Sequence, residues 1–125
     1  MAERIYHLAL ESEWLAGLTG DWYRPGRLPE DGFVHCASRE VLLSVADDYF
    51  GGATEPVWVL ALDPGRLSAE VRWEAPAPLP EGGRAHLERA STFPHVYGPI
   101  EVGAIVGASR LARQGAGFAW PQPLG

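Results

Sequence analysis

The sequence contains no lysine: its ten basic residues are all arginines, scattered along the chain, against sixteen acidic residues and a formal net charge of −6. Nucleic-acid binding rests on phosphate neutralisation and leaves a basic face, so a nucleic-acid partner is not expected. A single cysteine, Cys36, excludes an internal disulfide and any zinc site built on cysteine pairs. No run approaches the roughly 18–20 apolar residues needed to span a bilayer. Glu3, Arg4 and His7 fall where a signal peptide would need an apolar stretch. The expectation is a cytoplasmic protein without a membrane partner. The chain also lacks the G-x-G-x-x-G, P-loop, H-E-x-x-H and G-x-S-x-G signatures.

What is present fits one soluble domain. The chain has 125 residues, 46% of them hydrophobic and 21% charged. Five tryptophans supply large areas for burial in a small core. Residues 1–111 read as a single domain and 112–125, rich in glycine and proline, as a loosely ordered C-terminal tail.

Arg4–Leu10 and Pro56–Leu62 read as buried strands, and Glu70–Glu74 as a strand with one solvated face. Ser12 is expected to cap a short helix with Trp14, Leu15 and Leu18 as its apolar stripe. Asp21–Pro25 reads as a short extended piece, Pro29–Gly32 as a turn, and Phe33–Ala37 as a strand. Ser38 is placed to cap the clearest helix, Arg39–Phe50, closed by Gly51-Gly52. The Pro/Gly-rich stretch Ala75–Arg89 reads as a surface loop. Phe93–Pro99 is too broken by proline and glycine for a central strand, and Ile100–Leu111 reads as one last strand. The fold class expected is α+β: a small, mixed, mainly antiparallel split sheet with about two helices.

Side chains alternate along a strand. Ile5, His7 and Ala9 therefore share one face. Phe33, His35 and Ala37 share another, with Val34 and Cys36 turned the opposite way. That alternation separates His35 from Cys36 and makes the thiol a small core group. In FPHVYGP, Phe93, His95 and Tyr97 share a face. A histidine in an apolar segment brings two ring nitrogens that need partners when buried. Three such histidines, His7, His35 and His95, point to a single polar pocket; His86 lies in the polar loop and is set aside. Arg72 and Glu74 share a strand face and read as a solvated surface pair.

The segments IYHLA, YRP, DGFVHCAS, DDYFGG, VLALDPGRL, VRWE and FPHVYGPI, taken in order from Ile5 to about Leu111, resemble the bacterial and plant family catalogued as domain of unknown function 952. That family is similar in turn to the ADP-ribosyltransferase fold, in which split sheets hold NAD in a cleft. The resemblance implies an ADP-ribosyltransferase-like domain with NAD as a substrate and no metal. It implies catalytic roles for His95, Tyr97 and His35, and cofactor binding by His7, Arg24, Ser38 and Glu74. Where such transferases usually present a glutamate, FPHVYGPI offers His95 and Tyr97; Glu74 and Glu101 are the carboxylates that could substitute.

Three readings are compatible with these residues. The first is a nucleotide-binding pocket in a divergent ADP-ribosyl- or phosphoribosyl-transferring enzyme. The second is a non-catalytic module that binds a small ligand or a protein. The third is a metal-dependent hydrolase using the three histidines.

Overall fold

The computed structural model describes residues 3–75 and 92–121. The expected loop from Ala75, together with His86, lies outside them but for Ala75 itself, as do residues 122–125.

The first strand, β1 (Ile5–Leu10), runs directly into helix α1 (Glu11–Gly17). The helix starts one residue before Ser12, so Ser12 is in its first turn and caps nothing. Instead Leu10 N–H donates to the Glu13 carboxylate at 3.2 Å, and Ser12 N–H donates to Glu55 at 2.8 Å. Of the expected apolar stripe only Trp14 packs inward; Leu15 and Leu18 are 60% and 38% exposed. The chain then forms β2 (Leu18–Thr19) and β3 (Trp22–Tyr23).

The Pro29–Gly32 turn proves to be the end of a short helix, α2 (Leu28–Asp31). Pro29 sits in its first turn, where no N–H donor is required. Gly32 takes φ +81 and returns its N–H to Leu28 O at 2.8 Å, a closure that favours a residue without Cβ. The strand expected over Phe33–Ala37 shortens to β4 (Val34–His35). Helix α3 (Arg39–Phe50) follows with Ser38 at the N-cap position, though its hydroxyl makes no capping bond. At the other end, Arg113 donates to the carbonyl of Gly51, the C-cap, at 3.1 Å and to that of Ala53, just beyond it, at 2.8 Å. Next come β5 (Val57–Leu62), β6 (Glu70–Glu74) and β7 (Phe93–Tyr97). The single strand expected over Ile100–Leu111 divides into β8 (Ile100–Glu101), a 3-10 turn (Val102–Ala104) and β9 (Ile105–Arg110). The last elements are β10 (Ala112–Gln114) and β11 (Gly117–Ala119).

Among the described residues all strand pairing is antiparallel, in three-stranded sheets ordered β1-β5-β9, β2-β3-β8 and β4-β7-β6, with β10-β11 as a separate hairpin. The α+β expectation holds, with three α-helices among the described residues rather than two. A two-way backbone bridge, Tyr6 to Ala37 at 2.9 and 2.8 Å, ties the edge of β1 to the end of β4.

The segment FPHVY is the middle strand of its sheet, contrary to the expectation from its prolines. A strand residue points its N–H and C=O to the same side. Pro94 O accepts from Cys36 N at 3.1 Å, on the β4 side. The paired part of β4 ends at His35, so the donor that proline lacks falls where β4 gives out.

Strands β1 and β5 are buried on both faces, which explains their nearly unbroken apolar sequence. Tyr6, Leu8, Val57, Val59 and Ala61 pack against Val41, Leu42 and Ala46 of α3 and against Phe118. Ile5, Leu60 and Leu62 pack the other way, onto Tyr23, Val34, Cys36, Val96 and Ile100. Each fully buried leucine contributes about 1.5–3 kcal/mol. The segment from Ala112, expected to be loose, is a hairpin through Ala119 with Phe118 buried and the Trp120 ring 5.1 Å from that of Tyr6.

Candidate functional site

A cavity of about 740 Å³ opens between β1, β4, β7 and the residues around α2, and His7, His35 and His95 all line it. Tyr23, Phe33 and Phe93 add aromatic walls, and Arg27 and Asp31 add charge. A second part of the lining, Leu8, Leu10, Leu42, Val45, Tyr49 and Phe50, extends it towards α3.

His7 projects from β1 on the face that strand alternation assigns, among Tyr23 and the second core. Its Nδ1 lies 2.7 Å from His35 O, and its Nε2 lies 3.3 Å from Tyr23 Oη. A carbonyl only accepts, so Nδ1 carries the proton and Nε2 accepts from the tyrosine hydroxyl. Burial lowers the His7 pKa to about 4, with the bond to His35 O opposing and the charge of His35 adding to the fall. The ring is therefore neutral at physiological pH, with both nitrogens engaged. Tyr23 is wholly buried, and burial raises its pKa.

His35 and His95 are directly opposed across β4 and β7. His35 is about half exposed, and its Nε2 donates to Asp31 Oδ2 at 3.0 Å. Burial lowers its pKa although Asp31 pulls the other way. Asp31 is one helical turn from Arg27, whose guanidinium meets the same carboxylate at 3.2 Å. These bonds hold Asp31 below the usual carboxylate range against the effect of burial.

His95 is buried on the outer face of its sheet, with its Nδ1 donating to Glu74 Oε1 at 2.8 Å. Tyr97 Oη donates to the same oxygen at 2.5 Å. Those two bonds, the tyrosine's first, keep Glu74 below its ordinary pKa. Phe33 stacks on His95 with ring centroids 4.1 Å apart and also touches the rings of His35 and Tyr97. The expected surface pair of Arg72 and Glu74 does not form. Arg72 bonds Glu70 at 3.0 Å and lies 4.4 Å over the Tyr97 ring, leaving Glu74 to the histidine and tyrosine.

The structure thus brings His7, His35 and His95 to one cavity, with Glu74 and Tyr97 behind His95. It does not bring Arg24 or Ser38. Arg24 is exposed with its guanidinium 5.8 Å from the Trp22 ring, and Ser38 is half-buried at the start of α3, both outside the lining. Of the two carboxylates that could replace a catalytic glutamate, only Glu74 reaches His95. Glu101 lies opposite Trp22 in another sheet and accepts from Ser68 N at 2.8 Å. Cys36 is buried in the second core with its pKa pushed up by burial, as a packing thiol would be. Among the described residues, no group of three or more histidine, cysteine or acidic side chains is placed to hold a metal ion. The engaged nitrogens of His7 give a physical reason.

Sequence reasoning missed Asp31, Tyr23 and Phe33 as cavity groups. Asp31 precedes His35 by four residues, a helical spacing, but the two sit in different elements and only the Gly32 turn brings them together.

No curated protein matches the chain. It is similar to protein CC0527 from Caulobacter crescentus, known from a crystal structure: 25% identity and TM-score 0.70, covering 92% of this chain and 91% of that one. A double-methionine variant of that protein gives 24% and 0.69 over 92% and 91% of the two chains. Its solution NMR structure gives 24% and 0.67 over 92% and 90%. The family model described as "Protein of unknown function (DUF952)" matches residues 8–108, and the chain belongs to that family.

Proposed function

We propose that the cavity binds a nucleotide-like small molecule, NAD or a relative of it, in a divergent ADP-ribosyltransferase-like domain. The observation that carries this reading is the convergence of three strand-borne histidines on one aromatic-walled cavity. Its volume, about 740 Å³, falls within the range of about 300–1,000 Å³ that accommodates small ligands. Phe33, partly exposed in the lining, offers a ring for a base or nicotinamide to pack against. His35 and His95 each keep one ring nitrogen for hydroxyl or phosphate oxygens, while His7 is committed to His35 O and Tyr23. Glu74, beside His95, supplies the carboxylate that a transferase of this type requires near its reacting group.

Isothermal titration with NAD, ADP-ribose and ribose 5-phosphate tests the proposal. Single-site binding is expected for at least one of them, weakened about tenfold or more by His35→Ala, which removes a half-exposed hydrogen-bonding ring without opening the core. Absence of binding to all three at millimolar concentration refutes it.

A further inference from the structure

Two carboxylate–histidine pairs stand side by side, with both imidazoles in the cavity wall and Glu74 behind His95. Asp31 holds His35 Nε2 at 3.0 Å, and Glu74 holds His95 Nδ1 at 2.8 Å. The imidazole centroids are 5.6 Å apart. An ionised carboxylate only accepts, so each bonded nitrogen carries a proton. The opposite nitrogens, His35 Nδ1 and His95 Nε2, are the ones left for a ligand. One such pair is enough to activate a nucleophile. Two at one place supply both a base for an attacking oxygen and an acid for a departing one.

The remaining lining narrows the chemistry. Among the described residues no serine, threonine or lysine borders the cavity. Its thiol, Cys36, is buried and held protonated by that burial. Of the carboxylates in the lining, Asp31 is held by His35 and Arg27, and Glu13 accepts from Leu10 N at the start of α1. The free nitrogens of the two histidines are placed to handle protons rather than to form a covalent intermediate, and the attacking group in this reading is water. A leaving alkoxide that needs a proton and a centre that tolerates direct attack by water are both features of a phosphodiester. Arg27, on the Asp31 carboxylate, lines the cavity and is the cation placed for phosphoryl oxygens.

We infer that His35 and His95 are an acid–base pair that hydrolyses a nucleoside cyclic phosphodiester, an inference that rests on the nucleotide-binding reading of the same cavity. Water attacks phosphorus and gives its proton to His35 Nδ1. The P–O2′ bond breaks, and the 2′ oxygen takes a proton from Nε2 of His95, which in this step starts protonated on both nitrogens beside the Glu74 carboxylate and ends neutral. The product is the nucleoside 3′-monophosphate, and proton exchange with solvent restores both rings. Burial lowers the pKa of His35, which suits the residue that begins neutral. Asp31 and Glu74 are positioning residues: they fix which nitrogen of each ring faces the substrate.

The test uses the intact chain with 2′,3′-cyclic AMP, the products separated by chromatography. Conversion to adenosine 3′-monophosphate is expected, with a bell-shaped pH dependence of kcat. The groups facing the pair are Asp31 and Arg27 from α2 and its N-cap, Glu74 and Arg72 from β6, His7 from β1 and Tyr97 from β7. His35→Ala and His95→Ala should each lower kcat by about 10²–10⁴-fold. Asp31→Asn and Glu74→Gln should lower kcat with little change in KM and each displace one limb of the pH profile. Binding of the cyclic nucleotide without turnover, or turnover that survives His35→Ala, overturns the acid–base pair while leaving the binding reading intact. Failure of NAD, ADP-ribose and the cyclic nucleotide alike to bind overturns both. Because His35 is half exposed, its variant reports on chemistry even if the buried His95 variant fails to fold, which circular dichroism detects.

Discussion

Lowering the pH from neutral should destabilise the protein through His7. The folded ring has a pKa of about 4, set by burial, against about 6.5 for a free histidine. Between these values the unfolded chain binds a proton that the folded chain does not. Stability therefore rises with pH across this window and falls on acidification. The loss works out at about 2 kcal/mol between about pH 7 and about pH 5, reaching about 3 kcal/mol near pH 4. Well below that point both states are protonated and this contribution is constant. His35, also lowered by burial, acts in the same direction. The carboxylates held low by hydrogen bonds, Asp31 and Glu74, lose their stabilisation at more acid pH, below the ordinary carboxylate range. Urea denaturation at several pH values, for the native chain and for His7→Gln, isolates the histidine. The native chain should lose about 2 kcal/mol more than the variant between about pH 7 and about pH 5. Parallel stability curves, or a His7 ring resonance titrating near the free value in the folded protein, would refute the reasoning.

Tyr23→Phe removes the hydroxyl that donates to His7 Nε2 and leaves that nitrogen buried and unpaired, at a cost of about 1–3 kcal/mol in chemical denaturation. Gly17→Ala places a Cβ 2.6 Å from a ring carbon of Tyr23 and 2.9 Å from Arg24 O. Because the backbone oxygen yields little, the variant should lose about 1–3 kcal/mol and lower the melting temperature. Deleting the chain from Ala112 strips Phe118 and Trp120 from α3 and Tyr6 and removes the Arg113 cap. Unfolding at least about 2 kcal/mol easier is expected, and an unchanged denaturation midpoint would mean that the hairpin does not support the core.

Much of the fold is legible in the sequence where the determinant is local. Helix α3 follows from the spacing of Val41, Leu42, Val45 and Ala46, and β5 from an apolar run bounded by Pro56 and Asp63. The misreadings arise where neighbours in space override local preference. Leu15 and Leu18 have helical spacing, yet α1 stops at Gly17 because the chain must turn under Tyr23. Pro94 would forbid a central strand, except that its missing donor falls where β4 ends. Glycine and proline suggested a loose tail, but Phe118 and Trp120 dock it.

By itself, the sequence determined which face of its strand each of His7, His35 and His95 takes. The alternation of a strand is a property of the backbone, so His7, His35 and His95 took their sides from their immediate neighbours, and Cys36 took the side opposite His35. Only the tertiary structure decided what those rings meet. His7 meets Tyr23 across 16 positions of chain, and His95 meets Glu74 across 21. Hydrogen bonding has no sequence periodicity: a carboxylate finds a ring when separate strands are brought into register. Register is set by the burial of the whole core, and so is the chemistry of the cavity.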